Sequence, residues 1–294
     1  MRIGLIDVDQ KNFPNLALMK LSAFHKALGH HVEFCSLYER YDILYSSKVF
    51  TYTEEGFTTD NVIKGGAAHD LAIVLPDGIE HLCPDYALYS CDRSYGFLTR
   101  GCPNNCPWCL VPRKEGMIRA HADVQEFARH RDVVLLDNNV LASEHGIKQI
   151  ERIVEFGYHV DFNQGMDARL IDNAIARLLS KVKWIKTIRL ACDSQTQMKS
   201  IQKAVTLLRW NNVRPARYFV YMLVRDIDEA MERARFLKGL YLEPFAQPFI
   251  GFNGEMPTRE QKDFARWVNH SAVFNSVLWE DYRYGAHRAA SSHR

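Results

Sequence analysis

Long apolar runs are missing from this chain of 294 residues. No stretch approaches the roughly 18 to 20 apolar residues that a membrane span needs. The opening MRIGLIDVDQKN meets Asp7 and Asp9 too early for the apolar core of a secretory signal. No membrane partner is expected, and the cytoplasm is the expected compartment. An excess of one charge is missing too: 37 basic and 35 acidic residues leave a net of +2. That balance does not indicate nucleic acid as a partner. Neither G-x-G-x-x-G nor a P-loop occurs, and Gly65-Gly66 alone makes no phosphate cradle. Cysteine is scarce at seven residues. An odd number in a reducing compartment reads as thiols or metal ligands, not as a disulfide framework.

What is present is a core-forming composition, 47% hydrophobic and 24% charged, enough for one large domain or two ordinary ones. RIGLIDV reads as a buried strand. The following NFPNLALMKLSAFHKALGHH reads as a helix, with Pro14 in its first turn, Leu18, Leu21, Phe24 and Leu28 on one face, and Gly29 at its stop. Short β-like runs follow at HVEFC, YDILYSS and DLAIVLP, so residues 1–90 are expected to form a small Rossmann-like α/β domain. A mixed, turn-rich stretch at 77–94 places the boundary near residue 90.

From residue 91 to 294 a strand-then-helix rhythm repeats. Strands are expected at 95–101, 132–137, 159–163, 186–192, 217–224 and 245–250. Helix ends are marked by Gly157 and by the caps Asp172, Thr196, Asp226 with Glu229, and Thr258 with Gln261. Six such units predict an α/β fold with a partial parallel (βα)6 TIM-type barrel. The tail GAHRAASSHR is of low complexity.

Three of the cysteines fall within eight positions of YGFLTRGCPNNCPWCLVPRKEG, as Cys102, Cys106 and Cys109. A structural zinc site takes four ligands, commonly as two pairs, and no second pair lies nearby. A 4Fe-4S cluster normally takes four thiolates; three leave one iron open to an exogenous ligand. The trio follows the first expected barrel strand, and in βα barrels the working groups lie on loops beyond the strands' C-terminal ends.

The pattern C-x3-C-x-aromatic-C after a first barrel strand, with Trp108 at the aromatic position, resembles the radical S-adenosylmethionine (radical SAM) superfamily over about residues 95–250. The resemblance implies that Cys102, Cys106 and Cys109 bind a 4Fe-4S cluster whose open iron is chelated by SAM. It implies reductive cleavage of SAM to a 5′-deoxyadenosyl radical that abstracts hydrogen from a substrate, with electrons from a flavodoxin- or ferredoxin-like donor. The protein's part is alignment and exclusion of water.

Other strand ends offer polar groups to SAM. Asp137, Asn138 and Asn139 stand where the family often has a Gly-Gly-Glu-like segment; a polar, asparagine-rich turn is the alternative. Asn163, Gln164 and Asp167 are expected to face the pocket, with helix capping as the other role for Asp167. Arg189, inside an apolar strand, is expected to meet the SAM carboxylate or a structural acid, and Asp193 and Ser194 the ribose. The N-terminal unit loosely resembles cobalamin-binding domains, although D-x-H-x-x-G is absent and His25 with Gly29 has the wrong spacing. Against the enzyme stands a rival reading, a non-catalytic iron-sulfur or zinc protein using its metal for structure or partner binding.

Overall fold

The computed structural model describes residues 1–9, 13–56, 61–215, 217–252 and 254–282, so the tail GAHRAASSHR lies outside the described residues. Contacts divide the chain into two compact units, Met1–Gln164 and Gly165–Arg294. Each is α/β with parallel strands.

The first unit opens with β1 (Arg2–Asp7), α1 (Leu16–Ala27), β2 (His31–Phe34), β3 (Ile43–Ser47) and β4 (Val62–Gly65). All pairings in this sheet are parallel, in the order β2-β1-β3-β4. Ile3 and Leu5 of the central strand pack with Leu18 and Leu21 of α1 and with Val32. Burying each such side chain contributes about 1.5–3 kcal/mol, which is what holds helix to sheet. Asn15 caps α1 by accepting from the Leu18 amide at 3.3 Å, so Pro14 precedes the cap and does not enter the first turn. DLAIVLP is not a strand. Its Ile73 and Val74 are 41% and 72% exposed, and Pro76 leads directly into the short α2 (Asp77–Glu80). The fourth strand is instead the polar-edged VIKG of β4.

The same unit continues through β5 (Ser94–Gly96), β6 (Thr99–Arg100), α3 (Val111–Lys114), β7 (Arg119–Ala120), α4 (Val124–Phe127), β8 (Asp132–Leu135), α5 (Glu144–Phe156) and β9 (His159–Phe162). β8 lies between β5 and β9, parallel to both. The strand expected over 95–101 is broken in two because the Leu98 and Thr99 amides donate to the Asp137 carboxylate. β6 then pairs antiparallel with β7. Residue 90, the expected boundary, lies inside this unit. Near it, Tyr89 donates to Asp7 at 2.7 Å and Tyr86 to the Phe127 carbonyl at 2.8 Å.

The second unit contains α6 (Asn173–Leu179), β10 (Lys183–Trp184), β11 (Thr187–Ala191), α7 (Met198–Trp210), β12 (Arg217–Val224), α8 (Ile227–Gly239), β13 (Glu243–Pro248), α9 (Arg259–Asn269) and α10 (Ser271–Ser276). β11, β12 and β13 form a parallel sheet in chain order. Asp172 and Asp226 cap α6 and α8, and Thr258 forms a full capping box with Gln261. Thr196 is not the cap before α7. Ser194 takes that place in a capping box with Gln197, because the helical turn begins earlier, at Gln195. Among the described residues no helix is long and apolar enough to cross a membrane.

Candidate functional site

The cysteines occupy a loop outside regular secondary structure, residues 101–110, entered from β6 and left through α3. Gly101 begins it at φ +81, and a Cβ there would stand 2.3 Å from the Met117 carbonyl oxygen. Only glycine lets the two arms of the loop approach this closely. The Cys102 amide donates to the Gly116 carbonyl at 3.1 Å and the Cys109 amide to the Cys106 carbonyl at 3.0 Å. All three cysteines are half-buried thiols, and Trp108 between them is half-buried as well.

Among the described residues no three His, Cys, Asp or Glu side chains converge as a metal-holding group, the cysteine trio included. The donor set nevertheless fits an iron-sulfur cluster. It is all thiol, confined to eight positions, and carried by backbone free of helix and strand between two pinned ends.

The turn after β8 lies against the loop. Asn139 donates its side-chain N–H to the Cys102 Sγ at 3.5 Å, and Asn138 donates to Glu115 Oε2 at 2.9 Å. Asp137 is engaged elsewhere. Its carboxylate is buried and accepts from the Leu98 amide at 3.1 Å and from the Thr99 amide and hydroxyl, both at 2.6 Å. Burial pushes this carboxyl up to about 6, against the pull of those Thr99 and Leu98 donors. At the end of β9, Asn163 is half-buried and continues the ladder through its amide to the Leu135 carbonyl at 2.9 Å, while Gln164 is exposed.

Each candidate in the second unit has a partner there. Asp167 caps a short 3-10 turn and pairs with the Arg169 guanidinium at 2.7 Å. Arg189 donates to the Tyr221 hydroxyl at 3.1 Å and lies 5.3 Å over the Phe219 ring. Asp193 accepts from the Leu223 amide at 2.9 Å, and burial raises its carboxyl above the usual range. Ser194 serves as the cap already described. Cys192 is a core thiol, pushed up to about 12 by burial.

Several residues with structural partners, one of them beside the cysteine loop, carry no motif. Glu115 accepts from the Gly101 amide and from Arg100, each at 2.9 Å, yet within RKEG it reads as an exposed charge. Lys20, buried on α1, pairs with Glu80, which also meets His121 beyond β7 at 3.3 Å. Burial alone would raise the Glu80 carboxyl, but the His121 hydrogen bond and the Lys20 and Arg100 charges prevail and hold it at about 2. His25 is buried against His30 and Tyr45 at 3.0 and 3.1 Å. Arg233 is fully buried on α8. Its position was readable, because it falls on the same helical stripe as Ala230, Ala234 and Leu237.

Compared with known proteins, the chain matches no family model and no curated protein sequence.

Proposed function

We propose that the protein is a radical SAM enzyme, with Cys102, Cys106 and Cys109 as the ligands of a 4Fe-4S cluster. The observation that carries this reading is the placement of the trio. Three thiols lie on one short loop pinned at both ends, beside the polar turn after β8, with Asn139 already donating to one of the sulfurs. Three cysteine ligands leave a coordination position for a small molecule, which a closed structural site does not. When bound, such a cluster supplies the single electron for reductive cleavage of SAM.

The chain's own contribution is to bind and orient. Asn138 and Asn139 project from the turn closest to the loop, and their amide oxygens suit an ammonium group. Asn163 and Gln164, at the end of β9 in the same unit, are further SAM contacts in this proposal. A small flavin or iron-sulfur protein is the reductant it calls for.

The test is anaerobic reconstitution with iron and sulfide, reduction with dithionite, and measurement of 5′-deoxyadenosine formed from SAM. Formation by the native chain and its loss in the Cys102→Ala, Cys106→Ala, Cys109→Ala triple variant is the expected result. A well-formed cluster that neither binds nor cleaves SAM contradicts the proposal.

A further inference from the structure

Arg100 and Glu115 stand at the two feet of the cysteine loop, Arg100 on β6 and Glu115 directly after α3. The Glu115 side chain is 9% exposed and Arg100 16%. One oxygen of Glu115 takes the Arg100 guanidinium at 2.9 Å; the other takes the Gly101 amide and the Asn138 side-chain amide, both at 2.9 Å. Arg100 is fixed from its other side by the Phe97 ring, 3.9 Å from the guanidinium carbon. A carboxylate is suited to this junction, since it is acceptor-only and has room for three donors. Asn138 precedes Asn139, whose side-chain N–H points to the Cys102 sulfur at 3.5 Å.

We infer that Glu115 is a positioning residue for the cysteine loop, joining the entry strand β6, the end of the exit helix α3 and the turn after β8 so that Asn139 is held as a donor to the Cys102 sulfur. The inference rests on the iron-sulfur reading of the loop. A donor to a ligating sulfur withdraws charge from it and favours the more negative, reduced state of a cluster, so the junction sets both iron retention and reduction potential. A purely structural staple would leave the potential where it is.

The test uses the full chain, reconstituted with iron and sulfide, as the native protein, Glu115→Gln, Asn139→Ala and the double variant. Iron loss to a chelator and the midpoint potential are measured in each. Glutamine keeps the shape but turns a donor toward one of the three incoming N–H groups, so iron affinity is expected to fall about 10- to 100-fold. Both single variants are expected to shift the potential downward, and the double variant no further than Asn139→Ala alone, because the two residues act through one contact. Glu115→Gln with native iron retention and native potential overturns the inference. So does an unchanged potential in Asn139→Ala, however Glu115→Gln folds. A native chain that takes up no cluster would instead sink the iron-sulfur reading itself, and the inference with it.

Discussion

Asp137 shows how one side chain acts on folding and site together. Its carboxylate ends the β5 ladder by accepting from Leu98 and Thr99, and that break starts the path into the cysteine loop. The cost is a buried acid whose folded value, about 6, lies above its reference value of 3.8. A raised carboxyl contributes stability at pH values below its unfolded value and loses it as pH rises through the folded one. Between about pH 4 and pH 6 this group is expected to remove about 3 kcal/mol of stability. In Asp137→Asn that slope disappears, so denaturant unfolding across this window should fall for the native chain and stay flatter for the variant. Equal slopes would show that the carboxyl titrates normally. The acid was legible as a polar strand end, but its partners were not, because they come from the break between β5 and β6, 38 or 39 residues earlier.

At the scale of elements, local signals were read well and long-range ones poorly. The caps at Asp172, Asp226 and Thr258 depend on residues three positions away and form as read, except that Glu229 does not close a box at Asp226 and accepts from the Gln195 amide instead. The apolar run DLAIVLP misled, since composition alone does not say whether a pairing partner exists, while VIKG pairs with β3 despite its Lys and Gly. The trio of cysteines was legible because its spacing is itself local; Glu115 was not, because its role arises only when Gly101 and Asn138 come beside it. α8 holds the clearest case of a charge used inside an element. Arg233 donates to the Cys192 and Leu223 carbonyls, both at 2.8 Å, and so ties the ends of β11 and β12 to the helix. Arg233→Met keeps the apolar packing but strands two acceptors, at about 1–3 kcal/mol each. Thermal or urea unfolding should register a loss of about 2–6 kcal/mol; a change within about 0.5 kcal/mol, usual for surface substitutions, would mean the carbonyls find other donors.

At the scale of the molecule, both units share the α/β plan, and the cysteine loop with its bracing lies wholly in the first. Parallel sheets were foreseeable from the alternation of strand and helix patterns. The division between Gln164 and Gly165 was not, since no change in composition marks it. What distinguishes a working cluster from a structural metal is whether a small molecule reaches the iron. The most direct measurement is electron paramagnetic resonance of the reduced, reconstituted native chain with and without SAM. A 4Fe-4S signal whose g values change on adding SAM is the expected result. A signal indifferent to SAM, or none of the 4Fe-4S type, would contradict the central claim.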